Sequence, residues 1–369
     1  MTPTLIQPLL NPIDIGDLKL TNRISMAPMT RGRATNTGMI PEQIQAVYYG
    51  QRASAGLIIT EGTWVNKQSV GYNNVPGIFT AEQVKGWKAV TAAIHEKGGK
   101  VFSQLGHTGT FSHPDYLNGE LPVAPSAINP GLTVYTPAGP QPTVTPQALT
   151  AEQIKQTVAD YKKAAQNAKD AGFDGQELHV QHPSIISQFL SDNLNRRTDE
   201  YGGTIENKTR FLFEVLDAVK EVWGANRVSI KIWPYLSYSA IPGQPEEMLP
   251  TYSYLADRLN KYELAFLHIL DHTDPSTTAE ELKTRNVFAH FRTIYKGIIM
   301  GSGSFDQEKG NKLIAGGTVD LVSFGTLFIA NPDLPERFKR NTTLNDGDPA
   351  SYMSGEEKGY TDYSFLDTL

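Results

Sequence analysis

The sequence predicts an α/β fold, a (β/α)8 TIM barrel with an N-terminal β-hairpin cap and long loops over the barrel mouth. Three observations carry that prediction. Short apolar, β-branched runs recur along the 369 residues, periodic polar–apolar stretches of helical length separate most of them, and glycines stand where those helices should stop.

The expected strands are Arg23–Met29, Gly56–Thr60, Lys100–Leu105, Gly175–His179, Arg227–Ile232, Ala265–Leu270, Gly297–Met300 and Asp320–Phe324. Helical periodicity covers Thr80–Lys97, Thr150–Ala171, Ile205–Val222, Pro245–Lys261 and Asp306–Ala315. Thr150 and Gln153 form a capping-box pattern, and Gly98–Gly99, Gly172, Gly224 and Gly316–Gly317 supply the stops. An open doubly wound sheet is the competing fold, but no GxGxxG follows the first strand. Leu10–Ile13 and Leu18–Ile24 flank Gly16-Asp17, which predicts a hairpin at the barrel base. Residues 1–369 are expected to form a single domain, with 1–22 as the cap and 341–369 as a polar tail. Two long excursions, Thr108–Gln147 and Leu236–Pro250, each follow a strand and so belong over the mouth.

Composition narrows the function classes. The chain has 33 basic against 39 acidic residues, a net charge of -6, with no basic cluster that would read as a nucleic-acid surface. A mean hydropathy of -0.34 and the lack of a long apolar run predict no membrane span. The N-terminus lacks a signal-peptide pattern, so a cytoplasmic protein is expected. With no cysteine, disulfides, thiolate catalysis and cysteine-bound metal are excluded.

Chemistry concentrates after the fourth strand, where His179 and His182 stand three residues apart on the loop leaving its carboxyl end. No third ligand at metal-like spacing accompanies them, so no metal is expected. Two imidazoles can hold a carbonyl oxygen and stabilise an enolate as charge develops. His107 ends the third strand, Lys231 lies on the fifth, and Asp271-His272 follow the sixth. Each is a candidate acid or base, against plainer roles as a core histidine, a strand-end lysine and helix caps.

Several long motifs in order resemble the old yellow enzyme family of flavin-dependent ene-reductases: Asn22–Arg31, Tyr49–Glu61, Gly71-Tyr72, Gln104–His107, Arg197–Gly203 and Phe328–Leu334. The resemblance spans nearly the whole chain. It implies flavin mononucleotide (FMN) across the barrel mouth, hydride from NADPH, and an activated alkene as acceptor. It places Thr30 at the flavin carbonyl, Pro28 and Met29 along the ring, Gln104 at the pyrimidine edge, and His179 and His182 at the substrate carbonyl. Thr30 and Gln104 satisfying each other is the plainer alternative.

Other positions depart from the family pattern. Lys231 stands where the family has an arginine beside the flavin, and Thr326, after Phe324-Gly325, replaces the phosphate-clamping arginine. The phosphate-cradling glycine pair reads Gly303-Ser304, Ser184 replaces the proton-donating tyrosine, and Gly106 replaces a tryptophan wall. Losing a charge-assisted phosphate contact costs about 1.5–3 kcal/mol.

These departures lead to the expectation of a flavin-independent offshoot, of the kind known in fungal secondary metabolism. It would be an epimerase or isomerase that removes and returns a proton α to a ketone of a bulky, apolar natural product. Its catalytic set would be His179, His182, Lys231, Asp271, His107 and Ser184. Thr30, Tyr72, Gln104, Gly106, Trp233 and His272 would bind substrate. No cofactor is expected, and Thr30, Gln104, Lys231, Gly303, Ser304, Gly325 and Thr326 would be a vestigial FMN site. The alternatives are an FMN-dependent, NAD(P)H-using ene-reductase of α,β-unsaturated carbonyls and a non-catalytic binding protein.

Overall fold

A computed structural model describes residues 7–234, 248–271 and 286–366 of the 369. Eight parallel strands close into a barrel: Ile24–Met26, Leu57–Trp64, Val101–Gly106, Gly175–His179, Val228–Ile232, Phe266–Asp271, Ile299–Gly303 and Leu321–Phe324. Every one falls on a run that the sequence marked as a strand. The second runs on to Trp64 because its register shifts between Ile59 and Gly62, an irregularity that bends the strand and re-aims its side chains. Trp64 therefore stands directly opposite Gly106 on the third strand.

Ile13–Ile15 and Leu18–Leu20 pair antiparallel as the hairpin. Leu10, expected to begin its first strand, instead closes a 3-10 turn, Pro8–Leu10, with proline at its start. The hairpin turn requires Gly16, which has φ +57° and lies so close to Asn226 that a Cβ would fall 2.4 Å from that carbonyl oxygen. Ile15, Leu18 and Leu20 join Leu57, Ile59, Phe102, Phe266, Met300 and Leu321 in a buried cluster that plugs the barrel base. Burying each of these side chains contributes about 1.5–3 kcal/mol. The larger core lies between barrel and helices and includes Trp87, Tyr161, Phe211, Leu255 and Phe291.

Helices Ala81–His95, Ala151–Asp170, Ile205–Trp223 and Gln307–Ala315 match the periodic stretches, and Leu249–Leu259 lies within the stretch expected from Pro245. The Thr150 box forms as read, with its hydroxyl accepting from Gln153 N. Among the described residues, five short helices escape periodicity: Gln43–Gln51, Ile185–Leu190, Val287–Ile294, Thr326–Ala330 and Leu334–Arg340. In Ile185–Leu190 all six residues are buried, so no polar face exists to mark the period.

The excursion after the third strand carries a 3-10 turn (Gly109–Phe111), a hairpin (Thr133–Thr136 with Gly139–Pro142), and a pairing of Val123–Ala124 with Gln147–Ala148. Most of the second excursion lies outside the described residues. The polar tail is more than a tail. Arg31 Nε donates to Tyr352 O at 2.8 Å and its Nη2 to Gly359 O at 2.8 Å, while Arg33 Nη2 donates to Ser351 O at 2.7 Å. Arg52 donates to Phe328 O, Tyr48 O and Ile329 O at 2.8, 2.8 and 2.7 Å. Tyr360 stacks on Tyr48 at 3.9 Å, so the C-terminal segment is latched against the barrel. Among the described residues no helix is long and apolar enough to cross a membrane.

Candidate active site

One cavity opens at the carboxyl ends of the strands, lined by Thr30, Tyr72, Gln104, Gly106, His107, His179, His182, Ser184 and Lys231. With Pro28, which lines it too, ten of the residues singled out in the sequence thus converge. Asp271 ends the sixth strand and Trp233 follows the fifth, but neither lines the cavity, and His272 lies outside the described residues. Gly303, Ser304, Gly325 and Thr326 lie beyond the lining too, where the seventh and eighth strands end.

Burial sets the protonation of the cavity groups. Desolvation pulls the His179 imidazole down to about 3, with help from the nearby Lys231 charge and His182. Desolvation likewise takes His182 to about 4. Both rings are neutral at physiological pH, so each presents one N–H donor and one acceptor. His182 meets the edge of Phe111 at 4.6 Å, so the excursion after the third strand props the site. The Lys231 ammonium, 5% exposed, is lowered to about 8 by burial, with Glu177 opposing the shift. It makes no hydrogen bond or ion pair among the described residues. Its charge is therefore left to face the cavity that it lines.

Four expectations need correction. Ser184 Oγ is the N-cap of Ile185–Leu190 and accepts from Ser187 N at 3.1 Å, so it is committed to holding that helix. His107 Nδ1 accepts from Gly109 N at 3.0 Å and desolvation holds its ring down to about 3, which makes it a poor base. Gly106 does not leave an open wall. A Cβ built there would meet Trp64 at 3.7 Å, because the lengthened second strand brings an indole to the room that glycine vacates. Likewise, Gln104 and Thr30 do not satisfy each other: Gln104 Nε2 donates to Glu177 Oε1 at 2.8 Å.

Sequence reading passed over Glu177, Trp64, Gly62, Gln181 and Met353. Glu177 carried a signal, since it precedes His179 by two residues on the same strand and so shares its face. Trp64 is hidden by the register shift, and Met353 reaches the cavity only because the arginine latch folds the tail back. Gly62 leaves a wall without side chain: a Cβ there would meet only Gln104 Oε1, at 3.6 Å. This wall, with an amide, a hydroxyl and a cation in the same lining, suits the ring of a flavin. No group of three or more metal-ligating side chains occurs among the described residues.

Residues 8–345 match the model of the NADH:flavin oxidoreductase / NADH oxidase family. The chain is 38% identical to 12-oxophytodienoate reductase 1 of Oryza sativa subsp. japonica, over 98% of this chain and 94% of that one. It is 36% identical to the flavin oxidoreductase hxnT of Emericella nidulans, over 98% of each. Among solved structures, morphinone reductase in complex with tetrahydroNAD superposes with a TM-score of 0.89 at 43% identity, covering 97% of this chain and 98% of the other. The old yellow enzyme homologue from Zymomonas mobilis gives 0.91 at 35% identity, covering 97% and 99%.

These findings overturn the expected cofactor-independent epimerase, and with it the isomerase class and the absence of a cofactor. That expectation rested on the missing arginines at the phosphate and beside the ring. Yet backbone N–H groups after the seventh and eighth strands of a barrel bind phosphate without a guanidinium.

Proposed function

We propose that this chain, which belongs to the NADH:flavin oxidoreductase / NADH oxidase family, is an FMN-dependent, NAD(P)H-using reductase of α,β-unsaturated carbonyl compounds. The observation that carries this assignment is the glycine-walled cavity lined by Thr30, Gln104 and a Lys231 without hydrogen bond or ion pair among the described residues, with His179 and His182 in the same lining. Bound FMN supplies the hydride that NAD(P)H provides. Thr30, Gln104 and Lys231 would hold its ring, and the backbone of Gly303-Ser304 and Gly325-Thr326 its phosphate. The Lys231 cation favours an anionic ring edge, as reduction of the ring requires.

The substrate is then a small-molecule enone, its oxygen held by N–H groups of the neutral His179 and His182 rings. As hydride reaches the β-carbon, negative charge grows on that oxygen, and the two donors strengthen with it. Trp64, Tyr72 and Met353 close the remaining walls and favour a largely apolar substrate body. The whole chain, hairpin and latched tail included, acts as one barrel domain.

Purified protein incubated with FMN is expected to turn yellow and to consume NAD(P)H when a cyclic enone is added. Joint substitution of His179 and His182 by alanine should lower kcat/KM by about 10²–10³ while leaving bound flavin in place. A protein that stays colourless at saturating FMN would sink the assignment.

A further inference from the structure

Beneath the cavity, four strands contribute one buried polar layer. Glu177 stands beside Gln104 in the register of the third and fourth strands, and Lys231 lies beside both His179 and His268. Glu177 is fully buried and both its oxygens are taken. Oε1 accepts from Gln104 Nε2 at 2.8 Å, and Oε2 meets His268 Nδ1 at 2.8 Å. A carboxylate only accepts, so the Gln104 amide must turn its NH2 group toward Glu177. The opposite orientation would set oxygen against oxygen without water to relieve it.

The consequence appears on the cavity side. Gln104 Oε1 has no hydrogen bond among the described residues and lies 3.6 Å from where a Cβ of the cavity-lining Gly62 would stand. The wall therefore offers an acceptor and, from Lys231, a cation. We propose that Glu177 is a positioning residue that fixes the polarity of this wall through Gln104, so that the site selects a ring edge presenting an N–H beside an oxygen that takes negative charge. On the flavin assignment, on which this inference rests for the identity of the ring, that edge is an imide.

Full-length protein with 15N in its glutamine side chains, studied with and without added FMN, decides the orientation, with Gln104→Ala assigning the resonance. The Gln104 Nε2 protons are expected to exchange slowly in both states, and roughly tenfold or more faster in Glu177→Leu, the scale of one charge-assisted hydrogen bond. Nε2 protons that exchange fast without FMN and become protected only on its addition would overturn the proposal, whether or not the leucine variant folds. FMN affinity is expected to fall equally in Glu177→Leu and Gln104→Ala, with no further loss in the double variant. A folded Glu177→Leu that binds FMN as wild type does would also overturn it. If wild type takes up no FMN, the flavin assignment fails, and the Nε2 exchange rates without FMN still decide the orientation.

Discussion

The C-terminal latch and the cavity of this molecule bury positive charge in opposite ways. In the latch, Arg31 and Arg52 are wholly buried and Arg33 nearly so. Their guanidinium groups are spent on backbone carbonyls, on the Tyr48 hydroxyl, and on the faces of Tyr48 and Tyr360. In the cavity, Lys231 is almost as buried and has only the field of Glu177 to offset it. The difference separates structure from a candidate site: a buried charge whose donor atoms are bonded holds the fold together, and one without such bonds is a candidate contact for a ligand.

Breaking the latch should have the largest effect. Arg52→Ala strips donors from the carbonyls of Phe328, Tyr48 and Ile329 and is expected to cost at least about 3 kcal/mol. Lys231→Met should change stability by no more than about 1 kcal/mol, since no donor network is lost. Chemical denaturation of both variants checks the contrast, and equal losses would erase it.

The next largest effect should come from supplying a counter-charge at the other end of the flavin. Thr326→Arg is expected to raise FMN affinity about tenfold or more by restoring a bidentate phosphate contact, read by quenching of flavin fluorescence. Ser184→Ala tests whether that hydroxyl serves the helix instead of the reaction. It should lower stability by about 1 kcal/mol and leave enone turnover close to wild type.

The smallest expected effect is a pH dependence. With Lys231 held down to about 8, its ammonium is charged below that pH and neutral above it. FMN affinity should therefore be flat through neutral pH and fall severalfold as pH rises past about 8, because a neutral amine no longer attracts the anionic ligand. Lys231→Met should abolish that step. A step that persists in the variant would place the titrating group elsewhere.

Much of this was legible from the chain alone. Continuous apolar, β-branched runs marked all eight strands, because a barrel strand buried on both faces must be apolar and short. The pair His179 and His182 was legible for the same reason, since a polar break at the carboxyl end of such a strand has few uses other than chemistry. The site's balance was not legible. Counting absent arginines argued against a flavin, since a motif records side chains and is silent on backbone amides.

What the sequence by itself determined is the barrel, its hairpin plug and the strand ends where chemistry can occur. Those follow from local periodicity and burial, which each segment carries alone. Only the tertiary structure decided that Trp64 stands in for the bulk missing at Gly106, that Met353 returns from the tail to the cavity, and that Glu177 turns the Gln104 amide. Each depends on residues far apart in the chain meeting at one register or one latch, and no local pattern encodes such a meeting.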